Sequence, residues 1–265
     1  MVKKKEDFGS ILKKEKLKFK SGKELERYYE GKWKSEGYKK GYSLFGINIS
    51  KIYHKARHDV SFDLLAPEKS DVILDAGCGD GSWDFRIAKK CKKLVAVDIS
   101  KSAFAKSEKK KLKNMAFKKM DVEALKFPKN SFDKIYCVET LEHLLHPEKA
   151  LKEFNRVLKS KGKLVLSYPL IDNSIIGKIE KFLHTRDLTP ISEHLTEWEY
   201  NETINNIQEG GFKLIKIKGV IFDIGILNKI RTWAKFLVMP ITNLMLSLKA
   251  FPRNSYFMIM LFEKE

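Results

Sequence analysis

The run Val72-Ile73-Leu74-Asp75-Ala76-Gly77-Cys78-Gly79-Asp80-Gly81 constrains this chain more than any other segment. An apolar stretch ending in an acid and then Gly-x-Gly-x-Gly describes a buried strand that turns sharply around a ligand. Only glycine lets the backbone come that close. The next apolar run, Leu94-Val95-Ala96-Val97-Asp98, again closes on a carboxylate, nineteen residues after Gly79. That spacing suits an acid that hydrogen-bonds ribose hydroxyls. A dinucleotide site would place its third glycine one residue later, where Ser82 stands, to pack helix on strand. The pattern therefore points to a different nucleoside cofactor.

Two further runs repeat the arrangement. Ala116 to Met120 reads as a short strand followed by Asp121, and Lys134 to Val138 as another followed by Glu139. Acids make up 34 of 265 residues, about one in eight, so four successive strands ending in one is not the expectation of chance. In open parallel sheets ligands bind beyond the carboxyl ends of the strands, where all four acids would point. Such a cluster repels polyphosphate and suits a ligand that carries an ammonium, a sulfonium and ribose hydroxyls.

With these segments the chain resembles the class I S-adenosylmethionine-dependent methyltransferases, in particular the branch acting on small molecules, quinones and lipids. The resemblance rests on Leu74 to Gly81, Val97-Asp98-Ile99-Ser100, Met120-Asp121-Val122-Glu123, Phe127-Pro128-x-x-Ser131-Phe132-Asp133, Glu139-Thr140-Leu141-Glu142-His143-Leu144 and Arg156-Val157-Leu158-Lys159-x-x-Gly162-Lys163-Leu164. It runs in family order from residue 72 to about 168, more loosely to 219 and in the last strand. It implies a doubly wound, mostly parallel seven-stranded sheet, S-adenosyl-L-methionine as cofactor, and a methyl acceptor that it does not specify.

The resemblance also implies a site. Gly77, Gly79 and Gly81 would allow close approach of the cofactor, with Asp80 in the same turn and Asp75 near the amino-acid end. Asp98, with Ile99 beside it, would hold the ribose hydroxyls. Asp121 and Val122 would hold the adenine, and Val138 and Glu139 would wall the methyl position. Residues 139, 142 and 143, three and four apart, are expected on one side of a helical turn. His143 is a candidate general base. Glu139, Glu142 and His143 also match a Glu-x-x-Glu-His arrangement that ligates metal in some members of the fold and not in many others. His194 can complete either site or seat the helix that follows, and no metal is assigned.

Charge narrows the partners. The formal charge is +18, with fourteen Lys or Arg against seven acids in residues 1–40 and eight Lys against one acid in 101–119. Such excess favours an anionic partner or decorates solvent-facing helices. Lys far outnumbers Arg, the usual choice for bidentate phosphate or guanine recognition, so nucleic acid is the weaker candidate. Cys78, Cys91 and Cys137 lack a Cys-x-x-Cys spacing, which fits a reducing cytosol. Met1 to Asp7 lacks the apolar stretch expected of a secretory signal, and no run of eighteen apolar residues marks a spanning helix.

The expected layout is a basic arm and cap over 1–49, a cofactor-binding core over 50–219, an amphipathic insertion over 220–250 and a final strand over 251–265. The cap carries Tyr28, Tyr29, Trp33, Tyr38, Tyr42 and Phe45, which either line an acceptor pocket or seat a lid. A helix is expected over 51–65. It is followed by strand 71–75, helix 82–90, strand 93–98, helix 101–110, strands 115–120 and 133–138, helix 147–159 closed by Ser160-Lys161-Gly162, and strand 162–168. A helix ending at Gly210-Gly211 and a strand over 212–218 come next. The last strand, Tyr256 to Phe262, runs antiparallel by resemblance. Residues 220–250 set Trp233, Phe236–Ile241 and Leu244–Leu248 among basic residues, the composition of an interfacial helix, a buried helical pair or a dimer contact. A small or lipid-like acceptor and a cytoplasmic protein peripheral to the inner face of an anionic membrane fit these features; the oligomeric state is left open.

Overall fold

The computed structural model describes residues 18–35, 43–44, 47–170, 193–220, 255 and 257–265. Helix α1 (Gly22–Ser35) precedes a short antiparallel ladder of β1 (Ser43–Leu44) and β2 (Ile47–Asn48), and then α2 (Ile49–Leu65). The core follows as β3 (Val72–Ala76), α3 (Asp84–Ala88), β4 (Lys93–Asp98), α4 (Lys101–Glu108), β5 (Met115–Lys119), β6 (Phe132–Cys137), α5 (Pro147–Val157) and β7 (Leu158–Pro169). Helix α6 (Tyr200–Glu209), β8 (Phe212–Val220) and β9 (Phe257–Lys264) complete it.

Seven strands form one sheet in the order β5-β4-β3-β6-β7-β9-β8, parallel except for β9, which pairs antiparallel with both β7 and β8. Period-2 alternation divides the side chains between two cores. Leu74, Ala76, Val95, Val97, Ile135 and Leu164 face α5 and α6; Ile73, Leu94, Ala96, Tyr136 and Val165 face α2, α3 and α4. Sequential strands leave β3 in opposite directions, toward β4 and toward β6. The crevice at their carboxyl ends is the switch point where such sheets bind ligands.

Helices follow their local chemistry. In α5, Pro147 sits in the first turn and Ala150, Leu151, Phe154 and Val157 form one buried stripe. A reciprocal cap opens α6, with the Glu199 side chain accepting from the backbone of Glu202 and the Glu202 side chain accepting from the backbone of Glu199. Three expected helices are shorter, the one over 101–110 by the two residues beyond Glu108. Over 82–90 only Asp84–Ala88 is helical, because Ser82 and Trp83 are taken up by the glycine turn and Lys90 N–H closes back on Ile87 at 2.9 Å. Over 147–159 the helix stops at Val157, and Ser160-Lys161-Gly162 lies inside β7 rather than ending the helix. Fully buried Leu158 pairs with Phe132 in the sheet, so burial in the ladder overrides the helical pattern. The β1–β2 ladder is an addition to the expected elements.

Pro169, Val220 and Phe257 are register partners at one end of the sheet, the same end as Ala76 and Cys137. Among the described residues no helix is long and apolar enough to cross a membrane. Residues 1–17 of the basic arm, Tyr38, Tyr42 and Phe45 of the cap, and 221–250 of the insertion lie outside the described residues.

Candidate active site at the carboxyl edge of the sheet

The glycine turn is built as its spacing requires. Gly77 N–H and Cys78 N–H both donate to the Val97 carbonyl, at 2.8 and 2.9 Å, tying the end of β3 to the end of β4. Gly77, Gly79 and Gly81 have φ of +86°, +53° and +68°, the left-handed region where a side chain is strained. A Cβ on Gly77 would lie 2.1 Å from Thr140 Oγ1, and one on Gly81 would lie 2.6 Å from the Phe117 ring. At Gly79 there is room for a Cβ, 3.7 Å from the Trp33 ring, so backbone conformation is what demands glycine there.

Asp98 is the hub of this edge. One carboxylate oxygen accepts from Gly79 N–H at 3.0 Å and the other from Ser100 N–H at 2.8 Å. Burial pushes its carboxyl up to about 6, and the two backbone bonds oppose that rise. Asp121 accepts from Glu123 N–H at 2.9 Å and caps the short turn Val122–Ala124, in which Val122 is buried. Asp80 accepts from Ser82 N–H at 2.9 Å. Ile99 is partly exposed between Asp98 and Ser100. Asp75, by contrast, is buried at 4% exposure, and strand alternation sets it on the same face as Ile73, toward α2 and α3.

Helix α1 lies across these strand ends. Its Glu30 accepts from Ser100 Oγ at 2.8 Å, Ser102 N–H at 3.2 Å and Ser102 Oγ at 2.6 Å, and these bonds hold the carboxyl down at about 2. Glu26 pairs with Lys119 at 2.6 Å, and Gly22 lies beside the Asp121 carboxylate. At the other side Lys32 pairs with Glu193, and Tyr28 donates to the same carboxylate at 3.1 Å. Tyr29 meets His143 edge to face at 6.2 Å. Of the cap aromatics, Tyr28, Tyr29 and Trp33 thus seat α1 over the residues assigned to the cofactor.

Glu139 and Glu142 do not share one helical side, contrary to expectation. Glu139 precedes the short turn Leu141–His143 and has φ of +57°, a conformation costing about 1–3 kcal/mol for a residue with a side chain. Its N–H donates to Ser167 Oγ at 2.9 Å, and its carboxylate accepts from the same hydroxyl at 3.1 Å. Arg57 of α2, 4% exposed, stands 3.3 Å from the other carboxylate oxygen, with its guanidinium over the Phe257 ring at 4.1 Å. The Arg57 guanidinium also donates to His54 Nδ1 at 2.6 Å, and burial holds His54 down at about 4, so that ring is neutral and accepts. Val138, also assigned to the methyl wall, is buried at 6% exposure.

His143 takes the other direction. Its Nδ1 lies 2.9 Å from the Glu193 carbonyl; a carbonyl only accepts, so Nδ1 carries the hydrogen and Nε2 keeps its lone pair. Nε2 is 4.0 Å from a carboxyl oxygen of Glu142, and the ring meets His194 edge to face at 5.1 Å. Burial lowers the His143 imidazole and raises the fully buried Glu142 carboxyl, whose oxygens meet no hydrogen-bond partner among the described residues. Glu142, His143 and His194 offer ligand atoms within 4.8 Å of one another, a set that can hold a metal ion or a proton. Glu139 is not in that set; His194 stands where the sequence spacing put Glu139.

The residues fit the cofactor implied by the resemblance. A cradle closed to Cβ atoms, an acid tied to the turn it serves and a further acid at the next strand suit a cationic nucleoside. Fold and site together define a Rossmann-like methyltransferase domain. A methyltransferase-domain family model matches residues 74–166. The chain is 30% identical over 167 residues to the ubiquinone/menaquinone biosynthesis C-methyltransferase UbiE of Rickettsia bellii, covering 58% of this chain and 67% of that protein. It is 33% identical over 142 residues to the tRNA U34 carboxymethyltransferase of Helicobacter pylori, covering 49% of this chain and 54% of that protein. Magnesium protoporphyrin IX methyltransferase from Synechocystis, solved with bound SAH, superposes with a TM-score of 0.61 at 15% identity over 90% of this chain and 99% of that one. The chain belongs to the class I S-adenosylmethionine-dependent methyltransferases. It spans about half the length of the first curated relatives that it matches.

Proposed function

We propose that this protein transfers the methyl group of S-adenosyl-L-methionine to an oxygen or carbon of a small or lipid-like acceptor, at the cytoplasmic face of an anionic membrane. The observation that carries the reading is the joining of Gly79 to Asp98 at the switch point, with α1 seated above. Bound there, the cofactor supplies an electrophilic methyl on a sulfonium. The chain's part is to hold the donor, exclude water and place the acceptor in line, from which much of the rate can come. Where the acceptor must lose a proton, His143 Nε2 is the group with a free lone pair, and Glu142 faces it. An apolar acceptor is supported by the similarity to UbiE and by where residues 221–256 attach: Val220 and Phe257 both stand at the carboxyl edge, so the apolar, basic insertion leaves and rejoins the fold beside the site.

The similarity to a tRNA carboxymethyltransferase and the charge of +18 favour a second reading, an RNA methyltransferase. A third reading is a cofactor-binding partner protein without turnover. Incubation of cell extract with the protein and methyl-labelled S-adenosylmethionine separates the three. Label that partitions into organic solvent supports the proposal, label in the nucleic-acid fraction supports the second reading, and bound but untransferred cofactor supports the third.

A further inference from the structure

Directly behind the glycine turn, Asp84 opens α3 with 0% exposure, and neither of its carboxyl oxygens meets an N–H or hydroxyl donor among the described residues. It lies on the face that α3 turns toward the sheet, with Ile87 and Ala88 three and four residues on. Across from it, within hydrogen-bonding reach, is the buried carboxyl of Asp75. Two ionised carboxylates in such contact repel strongly, and burying either one unpaired costs several kcal/mol. One proton between them removes the repulsion and makes a short, charge-assisted O–H···O bond.

Among the described residues the surroundings supply no alternative partner. Among the described residues, the titratable groups around the pair are Cys78 and Asp80 from the turn, Cys91 beyond α3, Asp98 from β4, Tyr136 from β6 and, against Tyr136 and Trp83, His58 of α2, whose imidazole burial keeps neutral. None is a cation. Arg86, the cation that acts on nearby Tyr136, is paired with Asp59 and lies over the Phe62 ring. Burial raises both carboxyls, and contact with Asp75 raises Asp84 further while the contact lowers Asp75. Asp84 is the more enclosed of the two, at 0% exposure against 4%, and its oxygens have no donor among the described residues to hold a charge, so Asp84 is the member that carries the proton and Asp75 the one that accepts from it.

We propose that Asp84 is a carboxylic acid that donates a hydrogen bond to Asp75 and so positions the acid of the glycine turn, ionised, for the ammonium of the cofactor's amino-acid end. This inference rests on the S-adenosylmethionine reading. Asp84 acts only through Asp75 and is a positioning residue. An amide can make the same donation, whereas an apolar side chain cannot, and loss of the donor raises the Asp75 carboxyl.

The test is calorimetric binding of S-adenosylmethionine to the intact protein from pH 5 to 8, with Asp84→Asn and Asp84→Leu. Leucine is close in size and removes a buried acid, which keeps the variant folded. Asp98 titrates in all three proteins, so the comparison between them isolates the pair. Asp84→Asn is expected to follow the parent profile. Asp84→Leu is expected to bind about tenfold more weakly at neutral pH, with its acid-side loss of affinity moved to higher pH. Profiles of Asp84→Leu and parent that superimpose, or an Asp84→Asn profile that moves with Asp84→Leu, overturn the inference while leaving the cofactor reading intact. A parent protein that binds no S-adenosylmethionine at any pH overturns the cofactor reading and this inference with it.

Discussion

Gly79 donates its main-chain N–H to the Asp98 carboxylate at 3.0 Å, so the residue expected to bind ribose also braces the turn around the cofactor. The two duties separate by substitution. Asp98→Ala is expected to weaken S-adenosylmethionine binding by about 1.5–3 kcal/mol, through loss of charge-assisted hydrogen bonds. Asp98→Asn keeps one acceptor oxygen for the turn and should lose less. Calorimetry decides; unchanged affinity in Asp98→Ala, or tight binding of a dinucleotide in its place, removes the assignment.

For His143 the expectation concerns turnover. If His143 is the general base for the acceptor's proton, His143→Ala should lower transfer of labelled methyl by a factor on the order of a hundred or more while cofactor affinity stays close to parent. Normal turnover in that variant reduces the residue to packing. Activity that disappears with chelator and returns with magnesium assigns Glu142, His143 and His194 to a metal ion instead.

The hold of α1 on the core depends on Glu30. Its depressed carboxyl contributes stability that is present above the ordinary glutamate range and lost as pH falls through about 2. At neutral pH Glu30→Ala is expected to lower the protection of α1 amides in hydrogen exchange by about 2 kcal/mol and to speed cofactor release. Unaltered exchange in α1 would show that its aromatic contacts suffice.

Residues 220–250 carry a membrane expectation. The intact protein should co-sediment with vesicles more strongly as anionic phospholipid rises, less strongly as salt rises, and weakly once Trp233 and Phe236 become Ser in a folded protein. Equal failure on neutral and anionic vesicles leaves the segment as a lid or a dimer contact.

Much of this architecture is legible in the sequence because glycines and strand-end acids obey local rules. Gly77, Gly79, Gly81 and Asp98 occupy the places their spacing requires. Helix ends are less legible: Leu158 leaves the helix because its partner across the sheet, Phe132, is distant in sequence. The separation of Glu139 from Glu142 is set by Ser167 and Arg57, and nothing within the Glu-x-x-Glu-His spacing encodes it. A signal for Arg57 was nonetheless present. It falls on the apolar stripe of α2 with Val60, Ser61 and Leu64, and a cation on a buried face requires a carboxylate. Asp84, set against Ile87 and Ala88, carries the same signal with opposite sign.

The antiparallel insertion of β9 between β7 and β8 has a consequence for how such a protein changes over time. Because β9 reverses direction, the chain leaves β8 at Val220 and enters β9 at Phe257 on the same rim where β7 ends at Pro169, across β6 from β3, β4 and β5. The family match, residues 74–166, stops just short of them. One half of the sheet can therefore keep the glycine turn and its acids fixed while chain is added or lost at the ends of the other half without reopening the core.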